Sequence, residues 1–308
     1  MKNSKALFRY LVSRMPSDDV EEVNAMAYIV LEHLFSISRT DVLADKSVAM
    51  SPEVEEKMET ILNRLNTGEP LQYVLGETEF YGRIFKVRPG VLIPRPETEE
   101  LVRLVVEASG ARSQKPGASS REPVVSSQDL VVGSWNSGGI IRVLDIGTGT
   151  GCIPVTLFLE MVGVEVFAVD VSEVAIAVAR ENASLLKAQV DIVQLDVLND
   201  PLPWENLDVI VSNPPYIPWS EKVDMRRNVT DFEPALALFV PEEDPLIFYK
   251  AIARQASRAL RRSGLLAVEI NERFGAAVAR VFREEGFGEV EIIKDIFGKE
   301  RIVKGVLG

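Results

Sequence analysis

The chain has 308 residues with 46% apolar side chains, which leaves room for one large domain, or a large and a small one, around a real core. Its single cysteine, Cys152, excludes an internal disulfide, and with the single histidine, His33, it offers two ligands where a structural zinc site takes about four, so no metal centre and a reducing, cytoplasmic setting are expected. A net charge of −12 repels phosphate backbones and gives no basic footprint for a duplex, which argues against nucleic acid and points to a protein or a small molecule as partner.

The first 75 or so residues read as helices only. They open with neither the long apolar run nor the small-residue cleavage site of a secretory signal, and no later stretch approaches the ~18 apolar residues of a membrane span. Ser17 is the expected N-cap of a helix on which Val20, Val23, Ala27, Val30 and Leu34 recur at helical spacing. His33 lies in this apolar segment with no motif around it and is expected at a helix surface or core edge, which argues against a Ser-His-Asp hydrolase. A second helix starts at Ser51-Pro52, carries Val54, Met58, Ile61 and Leu65 as its buried stripe, and ends at Gly68. From about Glu79 the pattern changes. Residues 80–87, with Gly82 at the turn, suggest a hairpin, and Pro89-Gly90 a further turn. A helix then follows with Pro96 at its first position, Glu97, Glu99 and Glu100 at the positive end of its dipole, and Leu101, Leu104, Val105 and Ala108 on its apolar face. Residues 110–139, rich in Ser and Gly and without a period, read as a flexible insertion, of which Val131, Val132 and Trp135 are the part able to dock.

After the insertion, strands and helices alternate. Strands are expected at 140–146, 164–170, 190–196, 207–213 and 265–270, and helices at 152–161, 172–186 (capped by Ser172), 244–260 and 273–285. Two closing strands, 288–295 and 300–307, are expected to pair. This order predicts a mostly parallel sheet with helices on both faces.

The first of these strands runs into Asp145-Ile146-Gly147-Thr148-Gly149-Thr150-Gly151. Glycines let the backbone turn sharply and approach a ligand, at the strand end where open α/β sheets bind. A dinucleotide fingerprint is the rival, but its third small residue would fall on Cys152, and Asp145 would be unwelcome beside a pyrophosphate. A ligand with an ammonium group and no phosphates, such as S-adenosylmethionine, fits better. Asp170 ends the next strand, where a carboxylate can accept both ribose hydroxyls, and Asp196 ends the one after, placed to receive an adenine amino group. The alternative for each acidic residue is a cap on the following helix.

Asn213-Pro214-Pro215-Tyr216 directly follows a hydrophobic strand. An amide nitrogen, or an exocyclic amine on a ring, is a poor nucleophile because its lone pair is delocalised. The Asn213 side-chain oxygen and the Pro214 carbonyl can each accept one of its N–H bonds and turn the lone pair towards a methyl donor, while Tyr216 can stack on the flat face. The tetrapeptide serves amide and adenine-amine methylation equally. A cofactor-binding protein without turnover is the third reading, and the intact Asn213 and Tyr216 argue against it.

In this order the glycine loop, Asp170 and Asn213–Tyr216 resemble class I methyltransferases. With the helical start, Ile-Pro-Arg-Pro-Glu-Thr-Glu at 93–99 and Phe-Glu-Pro-Ala-Leu-Ala-Leu at 232–238, nearly the whole chain resembles the HemK/PrmC protein-glutamine methyltransferases. The resemblance implies an α/β, Rossmann-like fold with a seven-stranded, mostly parallel sheet in residues 93–308. It further implies a small all-α domain in residues 1–75 that grips the substrate, and a β-hairpin linker in 76–92. The implied reaction is S-adenosylmethionine-dependent methylation of the glutamine amide in the Gly-Gly-Gln motif of class 1 peptide-chain release factors. By position, Gly147, Thr148, Gly149, Thr150, Gly151 and Asp170 would hold the cofactor, and Val197 would line its adenine pocket. Asn213, Pro214, Pro215 and Tyr216 would hold the amide, with Asn213 touching cofactor and substrate alike. The 110–139 insertion is longer than the family usually carries.

Overall fold

The computed structural model describes residues 2–16, 19–109 and 139–308. The expected insertion, with Val131, Val132 and Trp135, lies outside the described residues except for Gly139. Two compact units emerge, Met1–Thr78 with Arg226–Phe232, and Glu79–Met225 with Glu233–Gly308.

The first unit is helical: Ser4–Arg14 (α1), Val20–Phe35 (α2), Arg39–Leu43 (α3), Pro52–Asn66 (α4) and Leu71–Leu75 (α5). The cap of α2 is Asp19, whose side chain accepts from the Glu21 and Glu22 N–H groups; the expected cap, Ser17, lies outside the described residues. Along α2, Val23, Ala27 and Val30 are buried, whereas Leu34 is half-buried and Val20, the first helical residue, is exposed. Ser51 caps α4 by accepting from Val54 N–H, and Gly68 follows its end at a φ of +88°. Met58, Ile61, Leu62 and Leu65 of α4 join Leu7, Leu11, Ala27 and Val30 in one core, with Val54 only half-buried. His33 is on the surface of α2, with Nδ1 2.9 Å from Glu77 Oε1. Nothing in the sequence signals that Arg226–Phe232 join this unit; Arg226 pairs with Glu22 at 2.9 Å.

Next in chain order comes a hairpin, Glu77–Phe80 (β1) with Arg83–Lys86 (β2). Its turn residues Tyr81 and Gly82 both have positive φ, the conformation that matches strand twist in a two-residue turn. Helix α6 covers Thr98–Ala108, two residues later than expected: Pro96 lies in a turn closed by Thr98 N–H to Arg95 O and Glu99 N–H to Pro96 O. The remaining elements are Ile141–Ile146 (β3), Cys152–Glu160 (α7), Val164–Asp170 (β4), Glu173–Leu185 (α8), Val190–Gln194 (β5) and Leu207–Ser212 (β6). Short turns of helix follow, and then Ile247–Ala259 (α9), Leu260–Glu269 (β7), Gly275–Glu284 (α10), Phe287–Lys294 (β8) and Glu300–Leu307 (β9).

The sheet is seven-stranded and mostly parallel as expected, in the order β8-β9-β7-β6-β3-β4-β5; only the β9 pairings are antiparallel. Its central strands are buried on both faces, so alternate residues feed different cores. Val143, Val209, Val211 and Ala267 meet α6, α7 and α8, whereas Leu144, Ile210, Leu266 and Val268 meet α9 and α10. The chain moves outward from β3 through β4 to β5, then crosses back to β6. That reversal opens a crevice between the carboxyl ends of β3 and β6, the usual ligand position in such sheets.

Candidate active site

A cavity of about 190 Å³ occupies this crevice, and every residue lining it belongs to the second unit. Its walls include Gly147–Thr150 after β3, Asp170 at the end of β4, Asp196 and Val197 beyond β5, and Asn213–Pro215 after β6. The glycine loop and the Asn-Pro-Pro segment, more than sixty residues apart in sequence, therefore face one space. Gly147, Gly149 and Gly151 all have positive φ, between 55° and 78°, which explains why this loop takes glycine at every second position. Gly151, however, does not line the cavity. A Cβ there would stand 3.0 Å from Ala179 Cβ and 3.1 Å from Ala179 Cα, so its role is to let α8 approach α7.

Asp145 also stands apart from the cavity wall. It is fully buried beneath the loop, and neither carboxylate oxygen has a hydrogen-bond partner among the described residues. Thr148 Oγ1 is close by but outside hydrogen-bond geometry, and it too lacks a partner. Burial pushes the Asp145 carboxyl up to about 7; the nearby Thr148 hydroxyl lowers it and the charge of Asp170 raises it further. Asp170 ties the loop together, accepting from Gly149 N–H at 2.8 Å and from Ser172 N–H at 2.9 Å, one bond to each oxygen. Its carboxyl is also raised, chiefly by burial, and each oxygen keeps a second lone pair. Asp196 is two residues past β5 rather than at its end. It organises a turn by accepting from Leu198 N–H at 3.0 Å and Asn199 Nδ2 at 2.7 Å. Cys152 lines the cavity, and burial pushes its thiol up to about 12, which makes it an inert wall.

Asn213 Nδ2 donates to Thr98 Oγ1 at 3.1 Å. Tyr216, expected to stack on a substrate, does not line the cavity. Its ring is half-buried against the core, and its hydroxyl donates to Glu269 Oε1 at 3.1 Å. Burial and the adjacent Glu269 carboxylate raise the Tyr216 pKa well above its ordinary value, so the hydroxyl remains a donor.

The two segments flanking these motifs turn out to be joined. Glu233, buried at the start of the 233–238 stretch, accepts from Ile93 N–H at 3.1 Å and pairs with Arg95 at 2.7 Å. This brings Pro234, Leu236 and Ala237 to the cavity beside Pro94 and Arg95. Glu99 accepts from Tyr81 N–H at 2.8 Å, tying the same segment to the hairpin turn. Sequence reasoning missed Thr98, Glu233 and Glu269 as site residues. The quoted heptapeptide contained the first and the 232–238 stretch the second, whereas Glu269 carried no signal beyond an acidic residue at a strand end.

These residues fit S-adenosylmethionine. A buried carboxylate without a partner beneath the loop suits an ammonium group, a second at a strand end suits paired hydroxyls, and Val197, Phe248 and Ile252 give an apolar lining for a flat ring. The wall lacks the Lys or Arg that a pyrophosphate would call for, apart from Arg95, which is paired with Glu233. Among the described residues no cluster of three or more His, Cys, Asp or Glu side chains is placed to hold a metal, and no helix is long and apolar enough to cross a membrane.

A family model described as the methyltransferase small domain matches residues 114–230, and one described as the PrmC N-terminal domain matches residues 6–76. The release factor glutamine methyltransferase of Bacteroides thetaiotaomicron is 41% identical over 285 residues, covering 92% of this chain and 92% of that protein. That of Flavobacterium psychrophilum is 35% identical over 286 residues (93% and 92%), and that of Neisseria gonorrhoeae 35% over 280 residues (91% and 92%). Identity at this level across nine-tenths of each pair, spanning both units, shows that the chain belongs to the release factor glutamine methyltransferase family.

Proposed function

We propose that the protein transfers a methyl group from S-adenosylmethionine to the side-chain amide nitrogen of a glutamine in a peptide-chain release factor, the glutamine of the Gly-Gly-Gln motif in class 1 factors. The observation that carries this reading is the single cavity onto which both the glycine loop and Asn213-Pro214-Pro215 open. The family name of the relatives supports the substrate.

S-adenosylmethionine supplies, when bound, an electrophilic methyl group on a sulfonium sulfur that leaves as a neutral thioether. The chain's own work is orientation. Gly147–Thr150 and Asp170 would hold the cofactor at the β3 and β4 ends, the buried Asp145 carboxylate would favour its ammonium through the loop, and Asp196 and Val197 would border its adenine. The Asn213 side-chain oxygen and the Pro214 carbonyl accept the two N–H bonds of the glutamine amide. That geometry would pull the nitrogen lone pair out of conjugation and turn it into the cavity, towards the side where a bound methyl donor would stand. The methylated nitrogen is acidic and gives its proton to water, so no strong base is needed. The chain's single histidine belongs to the helical unit and lines no part of the cavity. Recognition of the release factor is assigned to the helical unit, which contributes nothing to the cavity, and a cytoplasmic setting accords with the lone thiol.

The test is methyl transfer from labelled S-adenosylmethionine to a recombinant class 1 release factor, alongside a DNA duplex and an RNA. Label on the release factor alone is expected. Label on adenine instead would replace this reading with nucleic-acid amine methylation.

A further inference from the structure

Glu269, at the carboxyl end of β7, is 1% exposed, and the transfer chemistry above makes no use of it. Its Oε2 accepts from Thr98 Oγ1 at 2.7 Å and its Oε1 from the Tyr216 hydroxyl at 3.1 Å. Thr98 is 2% exposed, and its Oγ1 in turn lies 3.1 Å from Asn213 Nδ2. Three segments far apart in sequence thus meet on one carboxylate.

With Glu269 as the carboxylate, the direction of these bonds is fixed. An ionised carboxylate only accepts, and a threonine hydroxyl has one hydrogen, which is therefore committed to Glu269. Towards Asn213 the Thr98 oxygen has only lone pairs to offer. The Asn213 amide must accordingly present its NH₂ to Thr98 and turn its carbonyl oxygen the other way. A flipped amide would set a carbonyl lone pair against the Thr98 lone pairs at a site where Thr98 is closed to water. Asn213 lines the cavity, so the oxygen freed by this arrangement is the one available to accept from a substrate amide. Burial raises the Glu269 pKa, and the charge of Glu97 adds to the rise, while the Thr98 and Tyr216 bonds and the Arg301 guanidinium favour its ionised form. Arg301 is itself held by Asp295 at 3.1–3.2 Å.

We infer that Thr98 and Glu269 are positioning residues for methyl transfer: Glu269 orients the Thr98 hydroxyl, Thr98 fixes which end of the Asn213 amide faces the cavity, and the same carboxylate anchors Tyr216. One buried acid thus orders both ends of Asn213–Tyr216. The inference rests on the transfer reading above and adds to it the origin of the acceptor's orientation.

The experiment compares full-length wild type, Thr98→Val and Thr98→Ser. Valine keeps the shape and removes the hydroxyl; serine restores it. Steady-state methylation of a release factor should show kcat falling roughly 100-fold in Thr98→Val, the loss expected when a reacting group is mispositioned, with the KM for S-adenosylmethionine unchanged and with most of kcat restored in Thr98→Ser. Wild-type kcat in Thr98→Val, or equal impairment of the serine variant, would overturn the inference. Nitrogen-15 NMR of the Asn213 side-chain amide gives a second measure that needs no substrate. A slowly exchanging N–H is expected in wild type and Thr98→Ser and a fast one in Thr98→Val, and equal exchange in all three would overturn the relay. Should wild type methylate no release factor, the transfer reading fails, and the amide signal alone decides the relay.

Discussion

Replacing Asp145 by asparagine removes an ionisable group buried beneath the glycine loop, and the burial dictates how stability should then vary with pH. The carboxyl lies at about 7 in the folded protein against 3.8 in its ordinary state, because it is fully desolvated. Below pH 4 it is protonated whether folded or unfolded and makes no difference. Between pH 4 and pH 7 the unfolded chain ionises first while the folded chain holds its proton, so this residue lowers stability progressively as the pH rises. Above pH 7 both forms are ionised and the penalty levels off at about 4 kcal/mol. Urea unfolding of cofactor-free wild type and Asp145→Asn from pH 5 to pH 8 reads this directly. The variant's stability relative to wild type should climb by about 1 kcal/mol per pH unit and flatten near pH 7. Calorimetry at pH 6 should also show wild type releasing a proton when S-adenosylmethionine binds, as the ammonium group draws Asp145 into its ionised form, and Asp145→Asn releasing none. A stability difference that stays constant across the range would refute the argument.

Two further outcomes follow from the same site. Gly151→Ala should lose about 2–4 kcal/mol in thermal or urea unfolding, since a side chain at φ +78° is strained and its Cβ would press on Ala179 at 3.0 Å; an unchanged midpoint would contradict the close approach of α7 and α8. Asp170→Asn should weaken S-adenosylmethionine binding roughly 10- to 100-fold by calorimetry, because an amide NH₂ cannot accept from both Gly149 and Ser172 and also serve the ribose; wild-type affinity would remove Asp170 from the cofactor site.

What could be read from the sequence was what depends on near neighbours. Positive φ falls on all three loop glycines, Ser172 caps its helix, and Asn213–Tyr216 leaves the end of a buried strand, each a feature signalled within a few residues. The sheet followed from apolar runs too short for helices, because strands buried on both faces show no alternation. Boundaries drifted where two similar residues competed. In Ser17-Asp18-Asp19 any of the three can cap, and it is Asp19 that adjoins the helix. Pro96 suits a first helical turn, yet a tight turn at 95–97 delays the helix until Thr98, where the side chain meets Glu269. Long-range pairings left no local trace. Thr98 and Glu269 are 171 residues apart and Arg95 and Glu233 138, and nothing in residues 226–232 announces that they join the helical unit. Tyr216 shows the limit of reading a side chain by type: an aromatic beside an amide-binding loop suggests stacking, whereas a buried acid 53 residues away claims its hydroxyl.

The most direct test of the central claim is peptide mass spectrometry of a recombinant class 1 release factor incubated with S-adenosylmethionine and either wild type or Asn213→Ala. Wild type should add one methyl to the glutamine of the Gly-Gly-Gln peptide, and Asn213→Ala, at saturating S-adenosylmethionine, should slow that transfer roughly 100- to 1000-fold, the loss typical of removing one group that stabilises the reacting centre. An unmethylated glutamine with wild type, or an undiminished rate with the variant, would contradict the account.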